Sequence, residues 1–255
     1  MELKTILVTQ ARTGSSRLPG KVLKEVNGIT LLQIHLDRLI KCSKVSEIIV
    51  ATTVNEEDEI IYNKSIKWGV NAYRGSELNV LERFYEAVKN KNADWIVRVT
   101  SDCPLLDPKL VDAIITYAQS HDYDYVSNGL VEHFPDGQDV EVFKFSALKL
   151  AYENAKLKSE LEHVTPYIIN NSDFKGGNLF TGKNYASEKD YSQIRMTVDE
   201  PRDFDLMEYL IQKLGTEKTW QEYTNYMIEN NLTKMNDRII RNEGLLKSLK
   251  KDTNG

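Results

Sequence analysis

A basic loop follows the first apolar segment of the chain. Residues 10–21 read Gln-Ala-Arg-Thr-Gly-Ser-Ser-Arg-Leu-Pro-Gly-Lys and contain two glycines, two serines, two arginines and a lysine. Glycines let backbone N–H groups close on an anion, serine hydroxyls add donors, and the three cations neutralise negative charge. At the carboxyl end of a strand, such a loop predicts a polyphosphate cradle; the alternative is a solvated, charged turn. It is not a Walker A loop, because five residues separate its glycines and valine follows its lysine.

Two aspartates at the ends of apolar segments are candidates for holding a cation. Asp102 follows the apolar segment 95–100, and Asp199 follows the segment 195–198. A carboxylate beside a polyphosphate is repulsive unless a cation intervenes, so Mg²⁺ ligation is the simplest interpretation of Asp102. The alternatives are structural, because Asp102 could cap the turn that follows it and Asp199 could cap the following helix.

Strand and helix patterns alternate through the first half of the chain and must position these groups. Apolar runs predict strands at 6–9, 47–52, 71–73 and 95–100, and helical spacing predicts helices at 31–40, 55–68, 80–88 and 108–118. Continuous apolar strands are typical of a parallel sheet that is buried on both faces. The alternation therefore predicts a doubly wound α/β fold with a mostly parallel sheet.

The pattern changes after residue 125. Strands are predicted at 140–145 and 193–198, and helices at 147–155, 162–169 and 201–214. We therefore expect a mixed sheet with an inserted or extended region in this half. Beyond residue 215, Trp220, Tyr223 and Met227 indicate a helix, and the lysine-rich tail to 255 is expected to be mobile or to dock on a partner.

Length and composition set the broad class of the protein. At 255 residues, one large α/β domain is favoured over two small ones. The net charge of −5 argues against a nucleic-acid-binding surface. Two isolated cysteines, Cys42 and Cys103, indicate a reducing compartment with no structural disulfide or zinc site. No cationic leader precedes residue 6 and no apolar stretch reaches about 18 residues, so we expect a cytoplasmic protein without membrane insertion.

Several sequence blocks resemble those of one enzyme family. They are residues 10–21, 73–76 with 80–84, 98–105, 134–141, 162–167 and 197–201. In this order they resemble the spore-coat-polysaccharide type cytidylyltransferases, which are similar to the CMP-ketodeoxyoctonate and acylneuraminate synthetases. The resemblance covers about residues 3–215. It implies a nucleotide-diphospho-sugar transferase fold and Mg²⁺-dependent transfer of CMP from CTP to a sugar or sugar acid. Pyrophosphate would be released, and the product would serve surface polysaccharide or glycan assembly.

The resemblance implies a nucleotide site made of the basic loop and a base pocket. Its residues would be Ala11, Arg12, Gly14, Ser16, Arg17, Lys21, Arg74, Ser76 and Thr100. Arg12 and Lys21 are expected to act in catalysis by neutralising charge on the triphosphate and in the transition state. Arg17 is expected to share this work, or alternatively to hold the loop. Ketodeoxyoctonate enzymes carry glutamine where this chain has Thr100, a departure that bears on base selectivity.

The metal site and the organisation of the chain are also implied by the resemblance. Asp102 and Asp199 would hold Mg²⁺, although Asp203 is close enough in sequence to compete for the second position. Residues 1–215 would form the cytidylyltransferase domain, with a nucleotide-binding half of about 1–125, an acceptor and dimerisation half of about 126–215, and a helical extension with a basic tail at 216–255. A homodimer is expected on the same grounds.

An acidic, polar cluster is expected on the acceptor side. It consists of Asp136, Gln138, Asp139 and Glu141, flanked by glycine. Such groups suit hydrogen bonds to sugar hydroxyls or amines, or further help to the metal; the alternative is a hairpin turn with exposed carboxylates. His163 could bind an acceptor carboxylate or act as a base, or be structural. Arg195 is a candidate for contact with an anionic acceptor group.

Two other function classes compete with the transfer of CMP. One is a glycosyltransferase of the same architecture, which would consume a nucleotide sugar and release no pyrophosphate, and fold alone cannot separate the two. The other is a non-catalytic nucleotide-binding partner. The three cations of the basic loop favour a triphosphate, and the presence of both aspartates argues against the non-catalytic alternative.

Overall fold

A seven-stranded mixed sheet forms the centre of the protein in a computed structural model that describes residues 3–252. The strands are β1 (Thr5–Gln10), β2 (Glu25–Val26), β3 (Ile29–Thr30), β4 (Glu47–Thr53), β5 (Asn71–Gly75), β6 (Trp95–Thr100), β7 (Tyr125–Ser127), β8 (Glu141–Lys144) and β9 (Gly182–Asn184). The sheet order is β5-β4-β1-β6-β8-β7-β9, and β2 and β3 form a separate hairpin. Within the seven-stranded sheet, all pairings are parallel except those of β8 with β6 and β7, whereas the β2–β3 hairpin is antiparallel. The predicted doubly wound, mostly parallel fold is confirmed.

Helices cover both faces of this sheet. They are α1 (Leu31–Leu39), α2 (Glu59–Lys67), α3 (Val80–Val88), α4 (Pro108–His121), α5 (Phe145–Asn154), α6 (Lys158–His163), α7 (Pro166–Asn170), α8 (Pro201–Leu214), α9 (Trp220–Glu229) and α10 (Glu243–Asp252). One face packs against α3 and α5 through residues such as Phe84 and Phe143. The other packs against α4 through residues such as Val97 and Ile114. Within the described residues, no helix has the length and apolar character needed to cross a membrane.

The register of the parallel strands brings several loops to one edge of the sheet. Gln10, the last residue of β1, pairs with Ala51 of β4 and with Thr100, the last residue of β6. The basic loop after β1 and the turn that carries Asp102 after β6 therefore emerge side by side. This is the edge at which open α/β sheets gather ligand groups.

The predicted strand at 193–198 is wrong. Among residues 3–252, the segment takes part in one isolated bridge, between Asp136 and Arg195, and in no strand. Its backbone is held by scattered hydrogen bonds, among them Val198 N–H to the carbonyl of Asp102 at 2.8 Å. Gly137, at φ 103°, lies so close that an added Cβ would meet the Met196 carbonyl carbon at 2.6 Å. Glycine is required there, and the segment ties the turn around Asp136 to the turn around Asp102.

The single helix predicted at 162–169 is also wrong. The structure has two short helices, α6 and α7, separated by Val164 at φ 72°. A positive φ is rare for a β-branched residue, and at Val164 it interrupts the helical backbone. Pro166 then starts α7 at a first-turn position, where a proline is well tolerated. The apolar spacing that suggested one helix therefore belongs to two helices joined at a sharp turn.

The extension after residue 215 folds onto the rest of the same chain. Trp220, Tyr223 and Met227 lie on α9 as expected, and all three are buried. The lysine-rich tail, expected to be mobile or to dock on a partner, instead contains α10, which packs against α6. Its last residues, 253–255, lie outside the described part of the chain.

Candidate active site

Lys21 lies between the two aspartates predicted to hold a metal. The basic loop turns at Gly20, whose φ of 66° favours glycine, and Lys21 begins a short 3-10 turn directly after it. Lys21 Nζ donates to Asp102 Oδ2 and to Asp199 Oδ1, both at 2.7 Å. The structure therefore brings together three residues that are far apart in the sequence.

The electrostatics of this site favour the charged forms of Lys21 and Asp102. Burial alone would lower the pKa of Lys21, but the charges and hydrogen bonds of Asp102 and Asp199 outweigh it and raise that pKa. Burial alone would raise the pKa of Asp102, but the Lys21 charge holds it well below its usual range. Both carboxylates face one cation across two short hydrogen bonds, so the lysine ammonium stands where a metal ion could be held.

The donor set is compatible with Mg²⁺. Among residues 3–252, no group of three or more His, Cys, Asp or Glu side chains forms a ready-made metal site. Mg²⁺, however, is usually bound by only one or two carboxylates, with water and substrate phosphates completing its shell. Asp102 and Asp199 are such a pair, with Lys21 Nζ between their carboxylates.

Arg195 fixes the second aspartate of the pair. Its guanidinium bonds Asp199 Oδ2 at 2.9 Å and also forms an ion pair with Asp136. Arg195 Nε donates to Asp203 Oδ1 at 2.9 Å. Although burial would lower the pKa of Arg195, these carboxylates raise it. Arg195 therefore connects the predicted metal site with the predicted acceptor cluster.

Asp203, the competing candidate for the metal, has another task in the structure. It is 1% exposed and accepts hydrogen bonds from the backbone N–H groups of Asp199 and Glu200 at the start of α8. Asn236 Nδ2 also donates to it, at 2.9 Å. Asp203 thus caps the helix, which leaves Asp199 as the carboxylate facing Lys21.

Arg17 is surrounded by carboxylates at the mouth of the site. Its guanidinium lies 3.2 Å from Asp199, 3.7 Å from Glu200 and 3.3 Å from Glu243. The Arg17 side chain is 32% exposed, so these ion pairs are partly screened by water. The predicted role in binding a triphosphate requires Arg17 to exchange at least one of these partners.

Of the three residues predicted for the base pocket, Arg74 and Ser76 lie around the end of β5, whereas Thr100 ends β6. Arg12 reaches the same region and pairs with Glu77 at 3.2 Å. Arg74 donates to the backbone carbonyls of Thr53, Val54 and Asn55, which anchors the loop after β4. Ser76 Oγ accepts from the N–H of Asn79, just before α3. These contacts commit several Arg74 donors to the backbone and hold the loop after β4 against the end of β5.

Arg83 belongs to the same region and was missed by the sequence analysis. It lies on the buried face of α3 and is 3% exposed. Its Nη1 donates to the Ser76 carbonyl, but its Nε has no hydrogen-bond partner within residues 3–252. Burial, followed by the nearby charge of Arg12, lowers the pKa of Arg83 to about 10. A charged residue inside the apolar stripe of a strongly amphipathic helix was the signal that could have identified it.

The remaining predicted loop residues are held in different ways. Ala11 is buried, and its N–H donates to the Ala51 carbonyl at 3.2 Å. Gly14 and Ser16 are exposed in the loop. Thr13 donates to Asp58 Oδ1 through its N–H and its hydroxyl, which fastens the loop to the start of α2. Thr100 ends β6, and its hydroxyl hydrogen-bonds to Asp102 and helps to lower the pKa of that carboxyl.

The predicted acceptor cluster separates into groups with different surroundings. Asp136 contacts Arg195, and burial followed by the Asp139 charge raises the pKa of Asp136 to about 7. Asp139 pairs with Arg241 at 2.6 Å. Gln138 is fully buried, with its amide bonded to the backbone of Asp107 and Leu105. Asp136 and Asp139 therefore lie next to the Arg195 network. Gln138 instead holds the backbone at Leu105 and Asp107 through its buried amide.

Glu141 and His163 lie near each other on the α6 side of the sheet. Glu141 pairs with Arg98 across β6 and β8 and accepts hydrogen bonds from the hydroxyls of Tyr125 and Thr165. His163 Nε2 lies 3.2 Å from Ser248 Oγ of α10. Burial, and then the Arg98 charge, lowers the pKa of His163 and favours its neutral form. This group sits beside β6, the strand that leads into the turn carrying Asp102.

Cys42 and Cys103 are both buried free thiols. Cys103 follows Asp102 and lies 3.6 Å from its Oδ1. Burial raises the pKa of Cys103, so this neighbour of the aspartate pair is a neutral thiol.

Comparisons with known proteins identify the family. The cytidylyltransferase family model matches residues 6–236. An uncharacterized protein of Methanocaldococcus jannaschii is 44% identical over 207 residues, which cover 80% of this chain and 82% of that protein. The spore coat polysaccharide biosynthesis protein SpsF of Bacillus subtilis is 30% identical over 82% of this chain and 87% of its own length.

Solved structures show the same relationship. A cytidylyltransferase from Leptospira borgpetersenii superposes with a TM-score of 0.84 at 29% identity, covering 94% of this chain and all of that one. The fold is of the nucleotide-diphospho-sugar transferase type. The chain therefore belongs to the cytidylyltransferase family and is a nucleotidyltransferase.

Proposed function

We propose that this protein transfers CMP from CTP to a sugar or sugar acid, with Mg²⁺, and releases pyrophosphate. The observation that carries the proposal is the placement of Lys21 between Asp102 and Asp199 at the end of the basic loop. The match to SpsF, a spore coat polysaccharide biosynthesis protein, supports a role in surface polysaccharide or glycan assembly. Membership of the cytidylyltransferase family supports CTP as the nucleotide. The cations of the basic loop support the binding of a triphosphate.

The residues of the site would have two kinds of role, metal binding and neutralisation of phosphate charge. Asp102 and Asp199 would hold Mg²⁺, which when bound supplies positive charge to the phosphate oxygens. Lys21, Arg12 and Arg17 would neutralise the triphosphate and the departing pyrophosphate. Such reactions depend on positioning and charge stabilisation, without a covalent enzyme intermediate.

The acceptor would bind beside the Arg195 network. An acceptor oxygen attacks the α-phosphorus in line, the bond from that phosphorus to the bridging oxygen breaks, and the electron pair leaves with pyrophosphate. As the new P–O bond forms, the proton of an acceptor hydroxyl passes to solvent water. Asp136 and Asp139 would orient acceptor hydroxyls, Arg195 would keep Asp136 and Asp199 in place, and Glu141 and His163 would line the α6 side.

The cellular setting is proposed on the same basis. We expect a cytoplasmic enzyme acting as a homodimer through residues 126–215, with CTP and a sugar or sugar acid as its substrates. Sedimentation of the full chain tests the dimer, because a monomer at micromolar concentration would contradict it.

A nucleotide panel tests the proposed function. Melting temperatures would be measured with CTP, UTP, ATP, GTP and a CMP-sugar, each with and without Mg²⁺. A ligand at 100 times its dissociation constant stabilises by about 2.7 kcal/mol, because it binds only the folded state. We expect the largest shift with CTP and Mg²⁺, followed by pyrophosphate release in an acceptor screen. A shift with the CMP-sugar alone would instead favour a glycosyltransferase.

Arg83, which the sequence analysis missed, would donate to bound CTP through its Nε, which is unpartnered among the described residues, and Arg83→Met tests this role. Loss of a hydrogen bond from a charged group costs about 1.5–3 kcal/mol, so CTP should bind roughly 10- to 100-fold more weakly. The melting temperature of the ligand-free variant should not fall, because a buried charge with an unpartnered Nε is removed. Isothermal titration calorimetry and thermal melting measure the two quantities. A destabilised variant with unchanged CTP affinity would show that Arg83 is only structural.

A further inference from the structure

A segment near the end of the described residues lies beside the proposed acceptor site. Residues 236–252, here called the C-terminal strap, begin where the family match ends. Asn236 is 2% exposed and donates to Asp203 Oδ1 at 2.9 Å, beside the Arg195 network. At the other end, Asp252 accepts from the N–H of Ser159 at 3.2 Å. The strap is thus attached at both ends and spans the region between the two attachments.

Between these ends the strap contacts residues of the proposed acceptor site. Arg241 pairs with Asp139 at 2.6 Å and donates to the Phe134 carbonyl at 3.1 Å. Its side chain is only 12% exposed. Ser248 of α10 contacts His163, so the strap touches both groups of the predicted acceptor residues. An acceptor entering this region must pass or displace the strap.

One contact of the strap involves a residue proposed to bind the triphosphate. Glu243, the first residue of α10, lies 3.3 Å from the Arg17 guanidinium. A triphosphate attracts Arg17 and repels the Glu243 carboxylate, so both effects act against this contact. The pair is partly exposed, with side-chain exposures of 32% and 31%, so breaking it costs little.

We propose that the C-terminal strap is a lid over the acceptor site that CTP releases by taking Arg17 from Glu243. The proposal rests on the proposed function, because it needs the triphosphate to bind the basic loop. It adds an order to the reaction: CTP binds first, the strap loosens, and the acceptor enters beside Asp139 and His163. Arg241 then re-forms its contacts as the lid closes over the bound acceptor.

Hydrogen exchange of the full chain tests the release directly. Exchange would be followed with and without CTP and Mg²⁺, in the absence of acceptor so that no turnover occurs. We expect slower exchange in residues 11–21 and faster exchange in residues 237–252 on adding CTP. The first change reports nucleotide binding at the basic loop, and the second reports release of the strap.

Glu243→Gln supplies the second part of the test. The variant keeps the side-chain volume but removes the charge that holds Arg17, so strap exchange without CTP should be faster than in the unaltered protein, by up to about five-fold. CTP should bind up to about five-fold more tightly, the range expected for one partly exposed ion pair. Glu217→Gln is the matched control, since Glu217 is also an exposed glutamate of the extension but pairs with Lys41. It should behave like the unaltered protein.

The possible outcomes separate the two proposals. Protection of 11–21 without faster exchange in 237–252, or unchanged CTP affinity in Glu243→Gln, overturns the lid and leaves the proposed function standing. Absence of any protection at 11–21 overturns CTP binding at the basic loop, and with it both proposals. A tighter CTP complex in Glu217→Gln as well would assign the effect to net charge and also overturn the lid.

Discussion

Asp102→Asn is expected to lower the rate of pyrophosphate release by at least about 100-fold, because a metal ion contributes several kcal/mol of charge stabilisation. Asparagine keeps the shape of the side chain but removes the charge that faces Lys21 Nζ at 2.7 Å. Mg²⁺ should bind more weakly, and CTP should lose the part of its affinity that depends on Mg²⁺. Pyrophosphate release with an acceptor from the screen measures the rate, and calorimetry with Mg²⁺ measures the affinity.

Asp190→Asn is the control for this prediction. Asp190 is exposed, and its carboxylate accepts from the N–H of Ser192 away from the aspartate pair. The Asp190→Asn variant loses the same charge as Asp102→Asn, but its rate of pyrophosphate release and its Mg²⁺ affinity should not change. If Asp102→Asn also kept its rate of pyrophosphate release and its Mg²⁺ affinity, Asp102 would be structural. It would then cap the turn that follows it, the alternative given in the sequence analysis.

Lys21→Met should separate metal binding from the chemical step. Loss of one well-placed charge-stabilising donor typically lowers the rate by about 10²–10³-fold. Mg²⁺ should nevertheless bind at least as tightly as in the unaltered protein, because Lys21 is the cation that competes for Asp102 and Asp199. The opposite signs of the two effects are the signature of a lysine that occupies the metal position before substrate arrives.

Lys24→Met is the matched control, three residues further along the chain. The Lys24 ammonium lies 4.8 Å from the centre of the Phe204 ring, outside the aspartate pair. Its loss should change neither the rate nor the Mg²⁺ affinity. Weaker Mg²⁺ binding in Lys21→Met would mean that the lysine supports the aspartates structurally and does not compete with the ion.

Much of the fold and part of the site could be predicted from the sequence because the signals are local. Continuous apolar runs identified β1, β4 and β6, and they placed the basic loop and Asp102 each directly after the end of a strand. The segment 193–198 failed as a strand because its apolar residues pack against the core while its backbone makes only one bridge. The helix predicted at 162–169 failed because Val164 interrupts it at φ 72°, a conformation that a β-branched residue rarely adopts and that the apolar spacing does not predict.

The choice between Asp199 and Asp203 could not be made from the sequence. Both lie near a helix start, where a carboxylate can cap or bind a metal with equal local plausibility. The structure separates them through the capping bonds of Asp203 and the contact of Asp199 with Lys21, which lies far away in the sequence. The contact of Arg241 with the proposed acceptor site could not be predicted for the same reason, because its partner Asp139 lies about a hundred residues earlier.

Diffraction from crystals grown with CTP and Mn²⁺, recorded at the manganese absorption edge, tests the central claim most directly. We predict one anomalous peak between the carboxylates of Asp102 and Asp199, with the triphosphate on residues 10–21 and Lys21 Nζ moved onto a phosphate oxygen. A CTP molecule bound elsewhere, or a metal held by other residues while Lys21 stays between the two aspartates, would contradict the account.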